Sequence, residues 1–186
     1  KYILNFAVRL GVLKSDAAFQ SMVVRKSKSQ TAPKILTPAE ALKLVYLLEA
    51  YGDRPSAQAI HLLLLTGASK SEILYARWQD VHLRRAVLAT RMTYTGQSRL
   101  IPLNTEAVKL IRRLPRRKDV PWLFASSSGQ RLTSVFYTWN LLRTRLGRPE
   151  LRIQDLRHSF VGFLMGIGID RHDLKDILGH YNFTAF

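Results

Sequence analysis

Between Leu151 and His180 the chain reads LRIQDLRHSFVGFLMGIGIDRHDLKDILGH. This sets Arg157 and His158 on one predicted helix and His180 directly after the next. A guanidinium and two imidazoles held together bind anions and move protons. The planar fork of arginine matches the oxygens of a phosphate, and imidazole changes charge near neutral pH. Taken alone, Arg157 is also consistent with an ordinary surface arginine, and His158 with a hydrogen-bonded support. His180, after the glycine that closes its helix, is consistent with a cation matched to the helix dipole. No metal and no cofactor are expected. The chain has no cysteine, and His61, His82 and His172 lack metal-like spacing with carboxylates.

Charge supplies the context. The 186 residues carry a formal net charge of +16, and residues 1–150 hold 25 of the 29 Lys and Arg. The electropositive surface is therefore built upstream of the Arg157 segment. Nucleic acid is the most economical partner for it, because each phosphate contact releases counterions. A basic protein that is merely soluble, or that binds anionic lipid, is the plainer alternative. With 47% hydrophobic residues the chain holds one ordinary globular core. The longest apolar run, Ile60 to Leu65, is interrupted by His61, so no membrane span is expected. No secretory signal is visible, and the first residues read as the interior of a longer protein. The absence of cysteine suits a reducing compartment, and the expected location is cytoplasmic and nucleoid-associated.

Several elements must position these groups. Residues 1–10 read as the end of a helix capped at Gly11, and 25–36 as a basic, proline-containing linker. Thr37-Pro38-Ala39-Glu40 is a capping box with proline at the first helical position, opening a helix to about Tyr51. Ser56 is expected to cap a second helix, apolar through Leu65 and broken at Thr66-Gly67. A short helix begins at Ser71-Glu72. Residues 87–92 and 99–103 flank Thr95-Gly96 as a hairpin. Asn104 or Thr105 starts an amphipathic helix whose polar end carries Arg112, Arg113, Arg116, Arg117 and Lys118. That basic run reads equally as a solvated face and as a DNA contact. Trp122 to Phe124 is a candidate strand. Further helices are expected from Thr133 to about Leu146, Asp155 to about Ile167 and Asp170 to Leu178. Trp78, Trp122 and Trp139 read as packing residues.

Four stretches resemble the boxes of the tyrosine recombinases, the phage integrase and Xer-type family. TGASKSEILYARWQDV (66–81) is similar to the family's TGLRxSEIL…RWxDI, and MTYTGQSRLIPL (92–103) to its TKTGKSRxVPL hairpin. LRIQDLRHSF and DILGH are similar to HDLRHT and LLGH. All four are collinear and cover most of the chain. The resemblance implies an α+β, mainly helical catalytic domain with a small antiparallel sheet over residues 37–186. Residues 1–24 would be the last helix of an N-terminal core-binding domain, joined by the linker.

It also implies a chemistry. A tyrosine attacks a DNA phosphate without metal, forming a 3′-phosphotyrosyl link and releasing a 5′-hydroxyl. Two arginines clamp the charge of the transition state. A hairpin lysine protonates the leaving group, and histidines assist. Carried over residue by residue, the second arginine is Arg157 and the last histidine position is His180. The first arginine falls on Ser69, the lysine on Tyr94 and the box histidine on Gln154. The nucleophile's expected place lies beyond Phe186, and Tyr181 comes too early for it.

Neighbours compensate poorly. Lys70 is turned about 100° from Ser69 on a helix and lacks the fork, and Arg91 lies on the opposite strand face from Tyr94. Lys70, Arg91, Thr95, Arg99 and His158 are the expected DNA contacts, and Glu72 the residue that holds the arginine loop or hairpin. Losing one charge-stabilising donor lowers rates by about 10²–10³, and losing a general acid or base by roughly 10²–10⁴. The expectation is a double-stranded DNA-binding protein with lost or impaired cleavage, assembling on DNA as dimers or tetramers. The alternatives are an active site-specific recombinase, a binding-only regulator or accessory subunit beside an active partner, and an unrelated basic helical protein.

Overall fold

The computed structural model describes residues 34–90 and 99–179. Its first element, α1 (Pro38–Ala50), starts at the expected capping box. Thr37 Oγ1 accepts from the Glu40 N–H at 3.2 Å, and Glu40 Oε2 accepts from the Thr37 N–H at 2.7 Å. Ala41, Leu44 and Leu48, spaced by three and four, form its buried stripe. Helix α2 (Pro55–Thr66) is buried along almost its whole length and packs against α1 and the four helices that follow, short of the last. A helix apolar on every side is stable only at the centre of a fold. It does not begin with a Ser56 cap. Arg54 holds the cap position and Pro55 the first turn, while Ser56 Oγ lies 2.6 Å from Thr138 Oγ1.

After α3 (Lys70–Leu74) and a 3₁₀ turn at Trp78–Asp80 comes a three-stranded antiparallel sheet. It is ordered β1 (Val81–His82), β2 (Val87–Thr90), β3 (Arg99–Pro102). The β2–β3 pairing sets Leu88 opposite Ile101, both fully buried, and Thr90 opposite Arg99. Strand β1 was not expected from the sequence, because two residues carry no alternating pattern.

Helix α4 (Thr105–Arg113) is capped by Asn104, whose Oδ1 accepts from Ala107 N–H at 2.8 Å. It stops at Arg113, so Arg116, Arg117 and Lys118 lie outside it. Pro115 forces Leu114 into the extended region and ends the helix. Residues 122–124 form no strand, only a bridge from Arg77 to Trp122. Helix α5 (Phe136–Leu146) starts three residues later than expected, where Ser134 Oγ accepts from Phe136 N–H. Helices α6 (Asp155–Gly166) and α7 (Arg171–Leu178) fall close to their expected bounds. They share a small core of Phe160, Val161, Leu164, Ile167, Leu174 and Leu178, separate from the main one.

Residues 1–33, including the expected core-binding helix and most of the linker, lie outside the described residues. Residues 34–36 run against the domain: Leu36 is buried, and its N–H donates to Ser159 Oγ at 2.9 Å. Among the described residues no helix is long and apolar enough to cross a membrane.

Candidate functional site

The site begins at the sharp turn between α2 and α3. Gly67 ends α2 in the left-handed region at φ 62°, and a Cβ there would lie 2.3 Å from Phe160 Cδ1. Only glycine lets the turn approach α6 this closely. Two residues on, Ser69 caps α3. Its Oγ accepts from Glu72 N–H at 3.3 Å, and its own N–H donates to Glu72 Oε2 at 2.6 Å. Ser69 and Glu72 thus form a second capping box.

Glu72 is the hub of the site. Its side chain is 4% exposed and accepts from Arg99 Nε at 2.6 Å and Nη2 at 3.0 Å. The Nη1 of Arg157 stands 3.7 Å from Glu72 Oε2. Burial pushes the Glu72 carboxyl up, but the hydrogen bonds and charge of Arg99, with the Ser69 contacts, outweigh it. The carboxyl is therefore held below its ordinary value.

Both arginines also grip the end of α7. Arg99 Nη1 donates to the Ile177 carbonyl at 2.7 Å, and Arg157 Nη2 to the Leu178 carbonyl at 2.7 Å. Arg157 Nη1 donates to the Gly67 carbonyl at 2.9 Å. Four elements are joined here: the α2–α3 turn, strand β3, the start of α6 and the last turn of α7. Terminal carbonyls lack helical partners and carry negative partial charge, so two guanidiniums suit them. Gly179 completes the closure at φ 68°, where a Cβ would meet Arg99 Cδ at 3.0 Å.

The structure therefore brings Ser69, Arg99 and Arg157 together around Glu72. Arg99, expected among the DNA contacts, is turned inward onto Glu72 and Ile177. Lys70 is exposed beside Ser69, and its ammonium lacks the planar fork of an arginine. Gln154 is exposed at the start of α6 and makes no capping bond through its side chain. His158 is half-buried one residue beyond Arg157. Burial holds its imidazole below the ordinary value; Asp155 opposes this, and the charges of Arg152 and Arg157 reinforce it. It is thus neutral near neutral pH, as a supporting hydrogen-bonding group would be. Arg91, Tyr94, Thr95 and His180 lie outside the described residues. No metal-binding group of His, Asp and Glu occurs among the described residues.

Glu72 holds both the elements the sequence offered for it, the arginine-position loop through the Ser69 N–H and the hairpin strand through Arg99. The grip of Arg99 and Arg157 on α7 is what the sequence does not show. The clamp on α7 is made to backbone carbonyls, which carry no residue-type signal. Asp155 was also missed. This buried carboxylate accepts from Arg152 N–H at 2.7 Å and from its guanidinium at 3.0 Å, fixing the first turn of α6. An acid three residues after Arg152 at a helix start was the available signal.

This architecture is that of the tyrosine-recombinase catalytic domain. The chain superposes on the crystal structure of XerA recombinase with a TM-score of 0.66, covering 85% of this chain and 58% of that one at 24% identity. It superposes on a lambda integrase dimer bound to a COC′ core site with a TM-score of 0.62, covering 97% and 68% at 18% identity. Residues 34–185 match the Phage integrase family, and the chain belongs to that family. It is 29% identical to tyrosine recombinase XerA of Pyrococcus furiosus over 163 residues, covering 84% of this chain and 56% of the relative. It is 30% identical to tyrosine recombinase XerD of Mycobacterium tuberculosis over 204 residues, covering 97% and 63%. The chain thus spans somewhat over half the length of these relatives.

Proposed function

We propose that this chain is the double-stranded DNA-binding catalytic-type domain of a site-specific recombinase relative whose own strand cleavage is lost or strongly impaired. One observation carries the reading. At the position the resemblance gives to the first arginine, Ser69 is committed to capping α3 against Glu72. The site keeps the guanidinium of Arg157 and the hub that orients it, but has a hydroxyl where a second fork would sit. A serine at hydrogen-bond distance from a helix N–H supplies no charge to a developing phosphorane.

Tyr94 and Gln154 at the lysine and histidine positions support the same direction. Binding would rest on phosphate contacts and fall steeply with salt. Assembly on DNA is as a homodimer or tetramer, or beside an active recombinase as an accessory subunit.

The test is a suicide duplex carrying a site selected from random sequence, incubated with the natural full-length protein. Binding without a covalent protein–DNA adduct is the expected result. An adduct from the unaltered protein would make it an active recombinase with a rearranged site and its tyrosine after Phe186. A triple variant, Ser69→Arg, Tyr94→Lys and Gln154→His, runs alongside. An adduct from that variant alone would place the loss in these three residues.

A further inference from the structure

A second basic surface lies outside the Glu72 cluster. Residues 107–149 carry ten Lys and Arg and a single acid, Asp119. Arg131 and Trp122 of this span join Tyr75 and Arg77 in a stack of four side chains that alternate as ring and cation. The Arg131 guanidinium lies 3.8 Å from the Tyr75 ring centroid and 5.9 Å from that of Trp122, and Arg77 lies 4.8 Å from Trp122. Arg116 sits 5.4 Å over Trp78 beside them.

The backbone fixes this stack. Arg77 and Trp122 form a bridge, and the Leu123 N–H donates to Ala76 O at 2.9 Å. Arg117 donates to the carbonyls of Ser126 and Ser127, holding the turn that leads to Arg131. Arg77, Arg116 and Arg131 have no carboxylate within ion-pair distance among the described residues. A guanidinium covered on its face by a ring keeps its edge donors for an anion, already oriented.

Position favours one anion source. Val81 pairs with Leu88 and His82 with Val87, so β1 enters the sheet at the end where β2 runs out beyond Thr90. Arg99, paired with Thr90, enters β3 at that same end. Arg77 precedes the β1 entry by four residues. Through the turn at Trp78–Asp80, Arg77 therefore leads into β1 from the same end of the sheet at which Arg99 of the Glu72 cluster enters β3. A polyanion with regularly repeated phosphates reaches both, whereas a small anion occupies one.

We propose that the Tyr75–Arg131–Trp122–Arg77 stack, with Arg116 on Trp78, is a phosphate-binding surface that holds the backbone of duplex DNA beside the segment at Arg157. This rests on the DNA-binding reading above and adds to it a place and a set of residues.

The experiment measures binding of the full chain to a random-sequence duplex of roughly 30 base pairs across salt, with vesicles of phosphatidylglycerol as a second arm. Each lost phosphate contact lowers the slope of log affinity against log salt by about 0.9. The pair Arg77→Gln/Arg131→Gln should lower it by about two. Its affinity loss between 50 and 200 mM salt should shrink by roughly ten-fold. The control pair Arg84→Gln/Arg85→Gln removes the same charge from the β1–β2 turn, at the opposite end of the sheet, and should leave the slope nearly unchanged. Melting curves check that each variant folds. Equal slope changes in the two pairs, or none in either, would overturn the stack while leaving DNA binding intact. Failure of the unaltered chain to bind duplex at low salt would end both readings. Binding to vesicles alone would assign the stack to lipid headgroups and overturn the proposal.

Discussion

Arg99 meets Glu72 edge to edge, Nε to Oε1 at 2.6 Å and Nη2 to Oε2 at 3.0 Å, with the carboxylate 4% exposed. The third donor group of the same guanidinium holds the Ile177 carbonyl. One ion pair thus ties the start of β3 to the end of α7, through a carboxylate that also caps α3. A buried pair of this kind is not itself a large net gain, because desolvation offsets the attraction. Breaking it is costly, since the remaining charge stays buried.

Glu72→Gln should therefore destabilise the fold by about 3–5 kcal/mol in urea unfolding. The double variant Glu72→Leu/Arg99→Met should not recover the loss, because Glu72 also serves the Ser69 N–H and faces Arg157. Hydrogen exchange should show α7 losing protection first. Full recovery in the double variant would mean that Glu72 acts only through Arg99. Acid should mimic the substitution. The folded carboxyl is held below its ordinary value of 4.5, so its stabilisation is present above that pH and is lost as pH falls further.

Gly67→Ala tests the approach of the α2–α3 turn to α6. Positive φ costs an alanine about 1–2 kcal/mol, and forcing a methyl into Phe160 adds about 1–3 kcal/mol. A loss of roughly 2–5 kcal/mol is expected in chemical denaturation. In Gly67→Ala/Phe160→Leu the combined loss should be smaller than the sum, because the contact is shared. Strict additivity would leave backbone conformation as the whole cause.

Much of this was legible in the sequence, for physical reasons that differ by residue. The capping box at Thr37, the stop at Gly67 and the Asn104 and Asp170 caps are local chemistry, readable from neighbours. The four boxes placed Ser69, Arg99 and Arg157 in one site. What escaped was set by tertiary partners. Ser56 has a good capping side chain, yet it turns to Thr138, eighty-two residues away. Arg99 reads as a basic hairpin residue, yet a buried acid and a helix end turn it inward. The ring–arginine stack joins residues near 76 to those near 122 and 131, and no local pattern announces it.

Ser69 should be a stability residue as well as a substituted site. Ser69→Ala removes the hydroxyl that accepts from Glu72 N–H, at a cost of about 1 kcal/mol. Ser69→Asn keeps an acceptor and should restore most of it. Ser69→Arg should melt at a lower temperature than the unaltered chain, comparable to alanine, because it also lacks the cap. A Ser69→Arg variant as stable as the parent would show that the cap contributes little and that arginine is tolerated at the turn.

His61 gives a sharper pH dependence. It lies on the central helix α2, in a cavity of about 480 Å³ also lined by Glu49, Asp53, Glu106, Lys109 and Arg113. Burial pushes its pKa down from 6.5 to about 4, opposed only in part by the Glu106 carboxylate. The unfolded chain therefore binds the proton at higher pH than the folded one. The neutral imidazole contributes its full stabilisation above pH 6.5 and loses it progressively as pH falls to about 4. At 1.36 kcal/mol per pKa unit the loss approaches about 3 kcal/mol. Urea unfolding at pH 7.5 and 4.5 should show a loss in the parent that His61→Gln lacks. Glu106→Gln should deepen the loss, because removing that carboxylate depresses the folded pKa further. Identical pH dependence in parent and His61→Gln would mean the imidazole is hydrated in the folded state, and would remove His61 from the acid response.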